Sequence, residues 1–588
     1  MNFLNKDKEP GTRKEQFNRL RWRRLYFILI FMTAGFIAVI IKLAYLQLLQ
    51  GEALAMKADR QHRRLIDIEG ERGIIYDRNR RELAVNLDMP SLYGIPSSID
   101  NPAYVVKKLS HVVDFDTATV KDKLDSRKHF TWIKRRLSPD IAGKIEAMNI
   151  KGIGFAPERK RFYPKRELIG HILGFTNTDS HGLEGIEKYY EESMKGKKGA
   201  LVLEMDARGQ AVLTSTHLDA LKGNDIVLTV DEVIQYITEK ELEAAVEEHD
   251  AAGGVSIVMN PHTGEILAMA VSPRFNPNTP DKYGSGAWRN RAITDVYEPG
   301  STFKIVTASA AVEEKLFSPN EIVHDGSGSF NFGGGVLHDP HPKGKPMTFR
   351  EVISHSSNIG SAKIGIKLGD KRLYKYIKAF GFGDKSGIDL PGEVRGIVRD
   401  PAGWSGRSLA TISIGQEVGI TPIQLVTAMS DIANGGLLVR PHIVSETIDL
   451  NGDVKKINPE IVKRVISENT SKKMVDILKW VVSNEGTGKL AAVDGFSVAG
   501  KTGTAQKIDP ETGRYSKDRF ISSFIGFVPA DSPEIVMLVV VDEPKGLAWG
   551  GSVAAPVFHR VAEQALRYMH VESEEQQKIT IMAENSAN

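Results

Sequence analysis

EPGSTFKIVTASAAVEE, residues 298–314, places a serine directly after a Pro-Gly turn and a lysine three residues later. The alanine-rich part, 305–314, has helical character, so we predict that Ser301 lies at the start of a helix. Residues three apart on a helix share a face, which brings the Ser301 hydroxyl and the Lys304 amine together. Alone this spacing is a weak signal, because serine and lysine are common and a helix cap with a solvated lysine is the simpler explanation.

Two further short motifs strengthen the signal. Ser356-Ser357-Asn358 comes 55 residues after Ser301, and Lys501-Thr502-Gly503-Thr504 comes 145 residues after Ser356. Together the three motifs resemble the SxxK, SDN and KTG signature of serine β-lactamases and penicillin-binding proteins. Their co-occurrence is far more specific than any one of them.

The chemistry of acyl transfer explains why such residues are assembled. A serine hydroxyl is a poor nucleophile at neutral pH, and Lys304 is a candidate base if desolvation and neighbouring cations lower its pKa. The backbone N–H of Ser301 at a helix start, with a second N–H from an adjacent strand edge, is suited to stabilise an oxyanion. Ser356 is a candidate to relay a proton to the leaving amine.

The segment that contains the third motif, 496–504, is predicted to be that strand. Gly503 would let a substrate backbone approach closely. For a peptide that ends in a carboxylate, Lys501, Thr502 and Thr504 offer one charge and two hydroxyl donors.

Strand and helix signals lie on both sides of these motifs. Asp231 is predicted to cap a helix that runs to about residue 249. A long helical and loop-rich middle separates the early strands from the late ones, which is typical of an α+β domain whose sheet uses both ends of its sequence. The predicted strands are 226–230, 255–260, 265–270, 520–528 and 535–541.

Composition limits the possible classes of protein. The 588 residues exceed the usual domain size several-fold, and 41% hydrophobic with 26% charged residues is typical of folded, globular protein. The absence of cysteine excludes disulfides, thiol nucleophiles and Cys-ligated zinc. Residues 1–24 hold eight Lys/Arg against three Asp/Glu, so the overall charge of +3 is an N-terminal effect and gives no argument for nucleic-acid binding.

An apolar run near the N-terminus predicts a membrane anchor. Residues 25–41 carry no charge, and snorkelling of Lys42 lets the helix continue through 43–49. A cleaved signal peptide is the alternative, but its apolar region would be shorter and would end in small residues. Four arginines stand just before the run, which predicts a cytoplasmic N-terminus and a chain that continues on the far side: Arg19, Arg21, Arg23 and Arg24.

One motif suggests a different class of enzyme. Residues 495–502, GFSVAGKT, match the phosphate-binding pattern GxxxxGK[ST], and 535–543 resembles a strand that ends in a magnesium-binding acid. That site needs a strand before the loop and a helix after it. Residues 490–494 make a poor strand, and Gly503, Pro510 and Gly513 leave no room for a helix, so we favour acyl transfer over an ATPase.

Two loop segments offer weaker alternatives. His338-Asp339-Pro340-His341 provides three candidate metal ligands, but it stands in a Gly/Pro-rich stretch, and we predict a plain loop and no metal site. Residues 326–335 are glycine-rich without a following helix, so we predict a mobile loop there rather than a phosphate cradle.

The sequence resembles one known protein family along nearly its whole length. The sequence is similar to class B penicillin-binding proteins, monofunctional peptidoglycan D,D-transpeptidases, and its Ser-Ser-Asn triplet resembles the division type more than the elongation type. Besides the three motifs, the matching stretches are 72–78 (RGIIYDR), 161–164 (RFYP), 182–187 (GLEGIE), 289–295 (RNRAITD), 415–417 (GQE) and 421–422 (TP).

The resemblance implies an architecture and a set of roles. It implies that Ser301 is the nucleophile, Lys304 its base, Ser356 and Asn358 the relay and orienting pair, and Lys501 to Thr504 the substrate-carboxylate site. No cofactor is implied. The implied order is a cytoplasmic basic tail (1–24), a transmembrane helix (25–49), a non-catalytic pedestal or dimerisation-like module (50–220), a transpeptidase domain with an antiparallel sheet flanked by helices (221–570) and a disordered tail (571–588).

The resemblance also implies the biological setting. The expected substrate is a stem pentapeptide ending in D-Ala-D-Ala, the expected inhibitors are β-lactams, and the expected location is the inner membrane with a periplasmic catalytic domain at the septum. Division-complex proteins, including a SEDS-family glycosyltransferase, are the implied partners.

Related activities are weighed against this interpretation. A soluble β-lactamase needs neither an anchor nor a long N-terminal module, and no carboxylate motif for a hydrolytic water is obvious. A bifunctional penicillin-binding protein needs a glycosyltransferase domain, for which 50–220 has neither the length nor the motifs. A D,D-carboxypeptidase is harder to exclude, because water and an amine compete for the same acyl-enzyme. A β-lactam sensor or division scaffold that has kept the fold is the non-enzymatic alternative.

Overall fold

A computed structural model describes residues 13–68, 70–126, 130–197, 199–205, 211–218, 221–324, 326–332, 335–339, 342–573 and 576. The first part of the basic tail, 1–12, and most of the predicted disordered tail, 574–575 and 577–588, lie outside the described residues. An α-helix, Arg13–Ala44, passes into a π-helix, Tyr45–Leu49. Within it, Leu20–Leu49 has a window of mean hydropathy 2.5 with none of it buried, so it is long and apolar enough to cross a membrane.

The N-terminal module is a mixture of short strands and helices. A three-stranded antiparallel sheet of Arg63–Ile68, Gly199–Met205 and Ala211–Leu218 follows the helix Gly51–His62. Residues between 92 and 145 form a separate small hydrophobic core within this module, and its buried members include Leu92, Leu109 and Leu124. The other helices of the module are Pro96–Ser98 (3-10), Pro102–Ser110, Thr117–Leu124, Pro139–Glu146, Gly170–Leu173, Gly185–Tyr189 and Glu191–Met194.

A second sheet joins this module to the rest of the chain. The strand predicted at 226–230 is present as Asp225–Leu228, and it pairs in parallel with Ile75–Tyr76 and antiparallel with Val444–Ile448. A strand that local pattern assigns to the catalytic α+β domain therefore lies between the two regions. The sheet order is Val454–Lys456, Val444–Ile448, Asp225–Leu228, Ile75–Tyr76, Glu82–Gly94 and Thr131–Lys134, with Ile153–Phe162 also paired to Glu82–Gly94.

The catalytic region is built on a five-stranded antiparallel sheet. The predicted hairpin, the two late strands and the strand that contains the Lys-Thr-Gly motif are all confirmed. The sheet uses both ends of the region, as predicted, because the late strand Ile535–Asp542 inserts beside the early strand Gly253–Met259. The strand order is Ile266–Ser272, Gly253–Met259, Ile535–Asp542, Tyr515–Val528 and Ala499–Ile508.

The two faces of this sheet are both buried. Alternation of side chains sends Met537 and Val539 into one core with the helices Glu232–Glu248 and Ala555–Tyr568, the first capped by Asp231 as predicted. Leu538 and its alternate neighbours face the other core, where they pack with the fully buried helix Pro422–Ala433. Because helices cover both faces, only an edge of the sheet is available for a site.

The middle of the region supplies the helices that flank this edge. Within the stretch 326–335, predicted as a mobile loop, residues 329–332 form a strand that pairs antiparallel with Gly335–His338, and Phe332 is buried against Ala362; residues 333–334 lie outside the described residues. The remaining helices are Pro280–Lys282 (3-10), Ser285–Trp288, Arg291–Thr294, Gly300–Phe303 (3-10), Lys304–Glu313, Phe349–Ser354, Asn358–Leu368, Asp370–Ala379, Pro401–Gly403 (3-10), Ser408–Ile412, Glu468–Val482, Lys489–Ala491 (3-10) and Gly550–Val553. The remaining strands are Ile322–His324, Met347–Thr348, Leu437–Val439 and Ile461–Arg464.

Candidate active site

The predicted nucleophile lies on a tight turn that leads into a helix. A 3-10 turn, Gly300–Phe303, carries Ser301 and continues directly into the α-helix Lys304–Glu313, so the predicted helix start is confirmed. Phe303 is fully buried and anchors the turn in the core. Ser301 lines the cavity, and among the described residues its Oγ makes no side-chain hydrogen bond, so the predicted contact with the Lys304 amine is not a hydrogen bond in this structure.

A second turn brings Ser356 beside the lysine of the first motif. It joins the helices Phe349–Ser354 and Asn358–Leu368, and Ser356 adopts φ 59° there. That left-handed conformation costs a residue other than glycine about 1–2 kcal/mol, so surrounding contacts must hold it. In this conformation both its carbonyl and its hydroxyl lie within hydrogen-bond distance of Lys304.

Lys304 is completely buried, and its Nζ has three hydrogen-bond acceptors on this turn. Its Nζ donates to Ser356 O at 2.7 Å, to Ser356 Oγ at 3.2 Å and to Asn358 Oδ1 at 2.8 Å. Burial lowers its pKa to about 7, and the charge of Asp339 acts in the opposite direction. A lysine with that pKa is neutral in a large fraction of molecules at physiological pH, as a general base must be.

Lys501 approaches the same hydroxyl from the sheet. Its Nζ donates to Ser356 Oγ at 2.9 Å and to the backbone oxygen of Thr502 at 3.1 Å. Burial and the neighbouring Lys304 hold its pKa well below the usual value. In the structure this amine contacts the Ser356 hydroxyl, and the predicted role of Lys501 as a charge donor to a substrate carboxylate stays a prediction.

The hydroxyl of Ser356 therefore bridges two buried amines. Two like charges so close together in a low-dielectric site disfavour each other, so the pair holds fewer protons than two isolated lysines. Both amines donate to this hydroxyl in the structure, and when either amine is neutral the hydroxyl can donate to it, which is the geometry of a proton relay.

The Lys-Thr-Gly-Thr strand lies at the sheet edge, directly against the serine turn. A Cβ on Gly503 would lie 2.4 Å from Ser523 Oγ and 2.8 Å from Thr302 Cγ2. Glycine is thus required for the strand and the turn to pack, and its predicted contact with a substrate backbone stays a prediction. Thr502 Oγ1 lies 2.8 Å from Thr487 Oγ1, a residue that motif matching missed.

These elements enclose one cavity of about 650 Å³. Three of the predicted residues in its wall are Ser301, Ser356 and Asn358, and two more come from the edge strand, Thr502 and Thr504. Lys304 and Lys501 lie fully buried behind this wall. The structure therefore brings all three motifs to one site, with hydroxyls facing the cavity and amines behind them.

Comparison with known proteins agrees with this geometry. Residues 67–228 match the family model of the penicillin-binding protein dimerisation domain, and residues 254–563 match that of the penicillin-binding protein transpeptidase domain. The chain belongs to the class B penicillin-binding proteins. Its enzyme class is accordingly the serine-type peptidoglycan D,D-transpeptidase.

Relatives of this class B protein cover almost its whole length. Stage V sporulation protein D of Bacillus subtilis is 38% identical over 565 residues, 94% of this chain and 87% of that protein. Peptidoglycan D,D-transpeptidase FtsI of Escherichia coli is 30% identical over 577 residues, 96% of this chain and 95% of that protein. The crystal structure of penicillin-binding protein 3 from Mycobacterium tuberculosis with aztreonam has a TM-score of 0.68 at 28% identity, covering 86% of this chain and 98% of that chain.

The N-terminal stretches that resemble the class B family converge on one buried carboxylate. Glu187 accepts from Arg161 Nε at 2.6 Å, from Tyr163 Oη at 3.2 Å and from Arg72 Nε. Burial alone would raise the pKa of Glu187, but the two guanidinium groups hold it below its usual value. We refer to Arg72, Arg161, Tyr163 and Glu187 as the Glu187 cluster.

The ATPase alternative is wrong for this class B protein. Residues 499–502 of the GxxxxGK[ST] match lie inside the strand Ala499–Ile508, and the next element along the chain is another strand, Tyr515–Val528. No helix follows to cradle a phosphate. Of the loop considered as a metal site, Pro340 and His341 lie outside the described residues.

Proposed function

We propose that this protein cross-links peptidoglycan stem peptides through an ester at Ser301. Lys304 takes the proton of the Ser301 hydroxyl as its oxygen bonds to the carbonyl carbon of the penultimate D-Ala. The bond to the terminal D-Ala breaks, and the leaving amine takes a proton from the Ser356 hydroxyl. Lys304 and Lys501 supply the proton that replaces the one lost from Ser356. An acceptor amine then attacks the ester, forms the new amide and returns the proton to Ser301.

The observation that carries this proposal is the Ser356 hydroxyl between two buried amines. Serine β-lactamases share these motifs, so the lysine pair supports acyl transfer, and the match to the dimerisation and transpeptidase domains supports a transpeptidase. Lys304 in its neutral form is the base for the first proton transfer. The Ser356 hydroxyl, which lies within hydrogen-bond distance of Lys304, is the donor for the second. Backbone N–H groups of the serine turn and of the adjoining edge strand are the candidate oxyanion donors.

Substrate placement follows from the cavity wall. Hydroxyls of Thr502 and Thr504 line the cavity, and we propose them as donors to the carboxylate of the terminal D-Ala. Asn358, whose Oδ1 accepts from Lys304, orients the amine and faces the same space.

Mass spectrometry after incubation with a β-lactam tests the nucleophile and the substrate class together. We expect a stable ester on Ser301 and none in Ser301→Ala, because the strained amide mimics D-Ala-D-Ala and its acyl product blocks the acceptor. Ser309→Ala is the control, since Ser309 is a fully buried serine in the helix that follows the Ser301 turn and does not line the cavity. An adduct on another residue, or full labelling of Ser301→Ala, would contradict the proposal.

For the cellular role we propose cross-linking of nascent septal wall during division. The Ser-Ser-Asn triplet and the match to FtsI support it. The match to Stage V sporulation protein D favours a second candidate, wall synthesis in sporulation. Depletion of the protein in growing cells separates the two, because loss of septal synthesis gives filaments whereas a sporulation enzyme leaves growth and division unchanged.

We further propose that the N-terminal helix anchors the protein in the inner membrane with its arginine-flanked end in the cytoplasm and its catalytic domain in the periplasm. The length and apolarity of Leu20–Leu49 support the anchor. The domain division at 220/221 and association with division proteins, including a SEDS-family glycosyltransferase, belong to the same proposal.

A further inference from the structure

Asp339 is a buried acid in the active-site wall that the three motifs do not include. It directly follows the hairpin strand Gly335–His338 and is only 7% exposed. Its Oδ1 accepts from the backbone N–H of Asn358 at 2.6 Å and of Ile359 at 3.1 Å. Its Oδ2 accepts from Ser357 Oγ at 2.7 Å.

These bonds do more than cap the helix Asn358–Leu368. That helix already has a cap, because Ser357 Oγ accepts from the backbone N–H of Gly360 at 2.9 Å. Asp339 instead fixes the cap residue and the two N–H groups after it, which are the residues next to the strained Ser356. The adjoining carbonyl of His338 accepts from Asn358 Nδ2 at 3.3 Å, which leaves Asn358 Oδ1 for Lys304.

The hairpin that carries Asp339 is itself held in place. Phe332 is buried against Ala362 of the same helix and against Ala410, with Phe330 and Leu337 packed beside them. The carboxylate is therefore attached at one end to a packed hairpin and at the other to the Ser356 turn. A solvated loop would not provide such a fixed point.

We propose that Asp339 is a positioning residue of the transpeptidase: it holds the Ser356–Asn358 turn against Lys304, and its charge sets the pH at which the site acylates. The inference rests on the proposed function, in which neutral Lys304 is the base for Ser301.

The charge of Asp339 shifts the pKa of Lys304 in one direction, upward. Lys304 faces Asp339 and, through Ser356, Lys501, while Asp339 also has His324 Nε2 at 3.5 Å from its Oδ2. The carboxylate favours the protonated amine, so it raises the pKa of Lys304 against the effect of burial. Removing the charge lowers that pKa, and the pH above which Lys304 is neutral moves down.

The test measures second-order acylation of the full-length protein in detergent by a fluorescent penicillin, as a function of pH. Asp339→Asn keeps an acceptor oxygen for the two N–H groups but removes the charge, and Asp339→Ala removes both. Asp231→Asn is the matched control, because Asp231 is also a buried helix cap, with bonds to Val233 N and Ile234 N, on a helix behind the sheet.

For Asp339→Asn we expect the acid limb of the pH profile to move to lower pH, with a loss below tenfold on the plateau. For Asp339→Ala we expect a loss of roughly 10- to 100-fold, as for other lost hydrogen bonds to a charged group. Asp231→Asn should leave the profile unchanged. His324→Gln should also keep the limb in place, which separates the effect of the Asp339 charge from that of the neighbouring side chain.

The outcomes separate this inference from the function on which it rests. A parent protein that is not labelled at Ser301 would refute the proposed function. A labelled parent with an unshifted limb in Asp339→Asn would overturn the inference. Should Asp339→Ala fail to fold, the limb of Asp339→Asn decides, since that variant keeps the acceptor oxygen.

Discussion

The lysine pair of the active site and the Glu187 cluster of the N-terminal module are both buried, but their charges are balanced in opposite ways. Among the described residues, the hydrogen-bond partners of Lys304 and Lys501 are hydroxyl, carbonyl and amide oxygens, with Asp339 as the nearby acid. Glu187 instead receives two guanidinium groups directly. Burial consequently lowers the pKa of both lysines, whereas burial alone would raise the pKa of Glu187 and its two guanidinium partners hold it below its usual value.

This difference shows what each cluster does. A buried charge without a counterion is costly, and the site relieves that cost by losing a proton, which produces a reactive base. A buried charge with counterions stays ionised, and breaking the set leaves the partners uncompensated. We therefore assign chemistry to the lysine pair and structural integrity to the Glu187 cluster, and three predictions test that assignment.

The largest effect is expected for Lys304→Met. The variant should lose acylation by on the order of 100- to 10,000-fold, because it removes the general base. Its thermal stability near pH 7 should stay close to that of the parent, because removing a buried amine is offset by the acceptors of the Ser356 turn that lose their donor. Lys472→Met, at a highly exposed lysine, is the control. Acylation within a few-fold of the parent would point to another base.

The second largest effect is expected for Glu187→Gln, which should lower stability and leave acylation unchanged. The amide leaves Arg72 and Arg161 without a buried counterion, so we expect a loss of about 3–5 kcal/mol in the free energy of unfolding. The folded fraction should still acylate at the parental rate, which labelling below the melting transition measures. Glu184→Gln is the control, because that carboxylate is 42% exposed in the same segment. Unchanged stability in Glu187→Gln would remove the contrast between the clusters.

The smallest effect is a pH dependence of stability. Lys304 has a pKa of about 7 in the folded protein and about 10.4 in an unfolded chain, so between these values the unfolded state binds more protons and stability rises with pH. The slope cannot exceed about 1.4 kcal/mol per pH unit for one proton. Melting temperatures from pH 7 to 9.5 should rise for the parent relative to Lys304→Met.

Glu187 contributes in a separate pH window. Its pKa is lowered on folding, so its stabilisation is present above the ordinary carboxyl range and is lost as pH falls below it.

A melting-temperature difference between parent and Lys304→Met that stayed constant above pH 7 would show that Lys304 is already charged in the folded state.

The sequence predicts an interaction well when its partners are close along the chain and poorly when they are far apart. The Ser301 to Lys304 spacing is local, so its helix start was predictable from one turn of chain. Most strands of the catalytic sheet were also predictable, because they contain apolar runs, whereas the polar edge strand Ala499–Ile508 was predicted from its Lys-Thr-Gly motif. The parallel pairing of Ile75–Tyr76 with Asp225–Leu228 was not, since a two-residue strand has no periodicity and its partner is far along the chain.

The site itself shows the same limit. Motif matching selected Ser356, Asn358 and Lys501, but spacing does not show that one hydroxyl joins both lysines. Asp339 was weighed only as a metal ligand, because its neighbours in sequence are His and Pro and its partners lie almost twenty residues on. The stretches at 72–78, 161–164 and 182–187 were recognised one by one, and only the fold shows that they share Glu187.

The pairing of Gly253–Met259 with Ile535–Asp542 has a consequence for the newly made chain. Synthesis proceeds from the N-terminus, so Ser301 and Lys304 exist long before Lys501 and the central strand of their sheet. Closing so long a loop is slow and must precede the contacts that reward it. A partly synthesised chain thus carries a serine with no relay behind it, and the reactive centre arises only as the last strands are inserted.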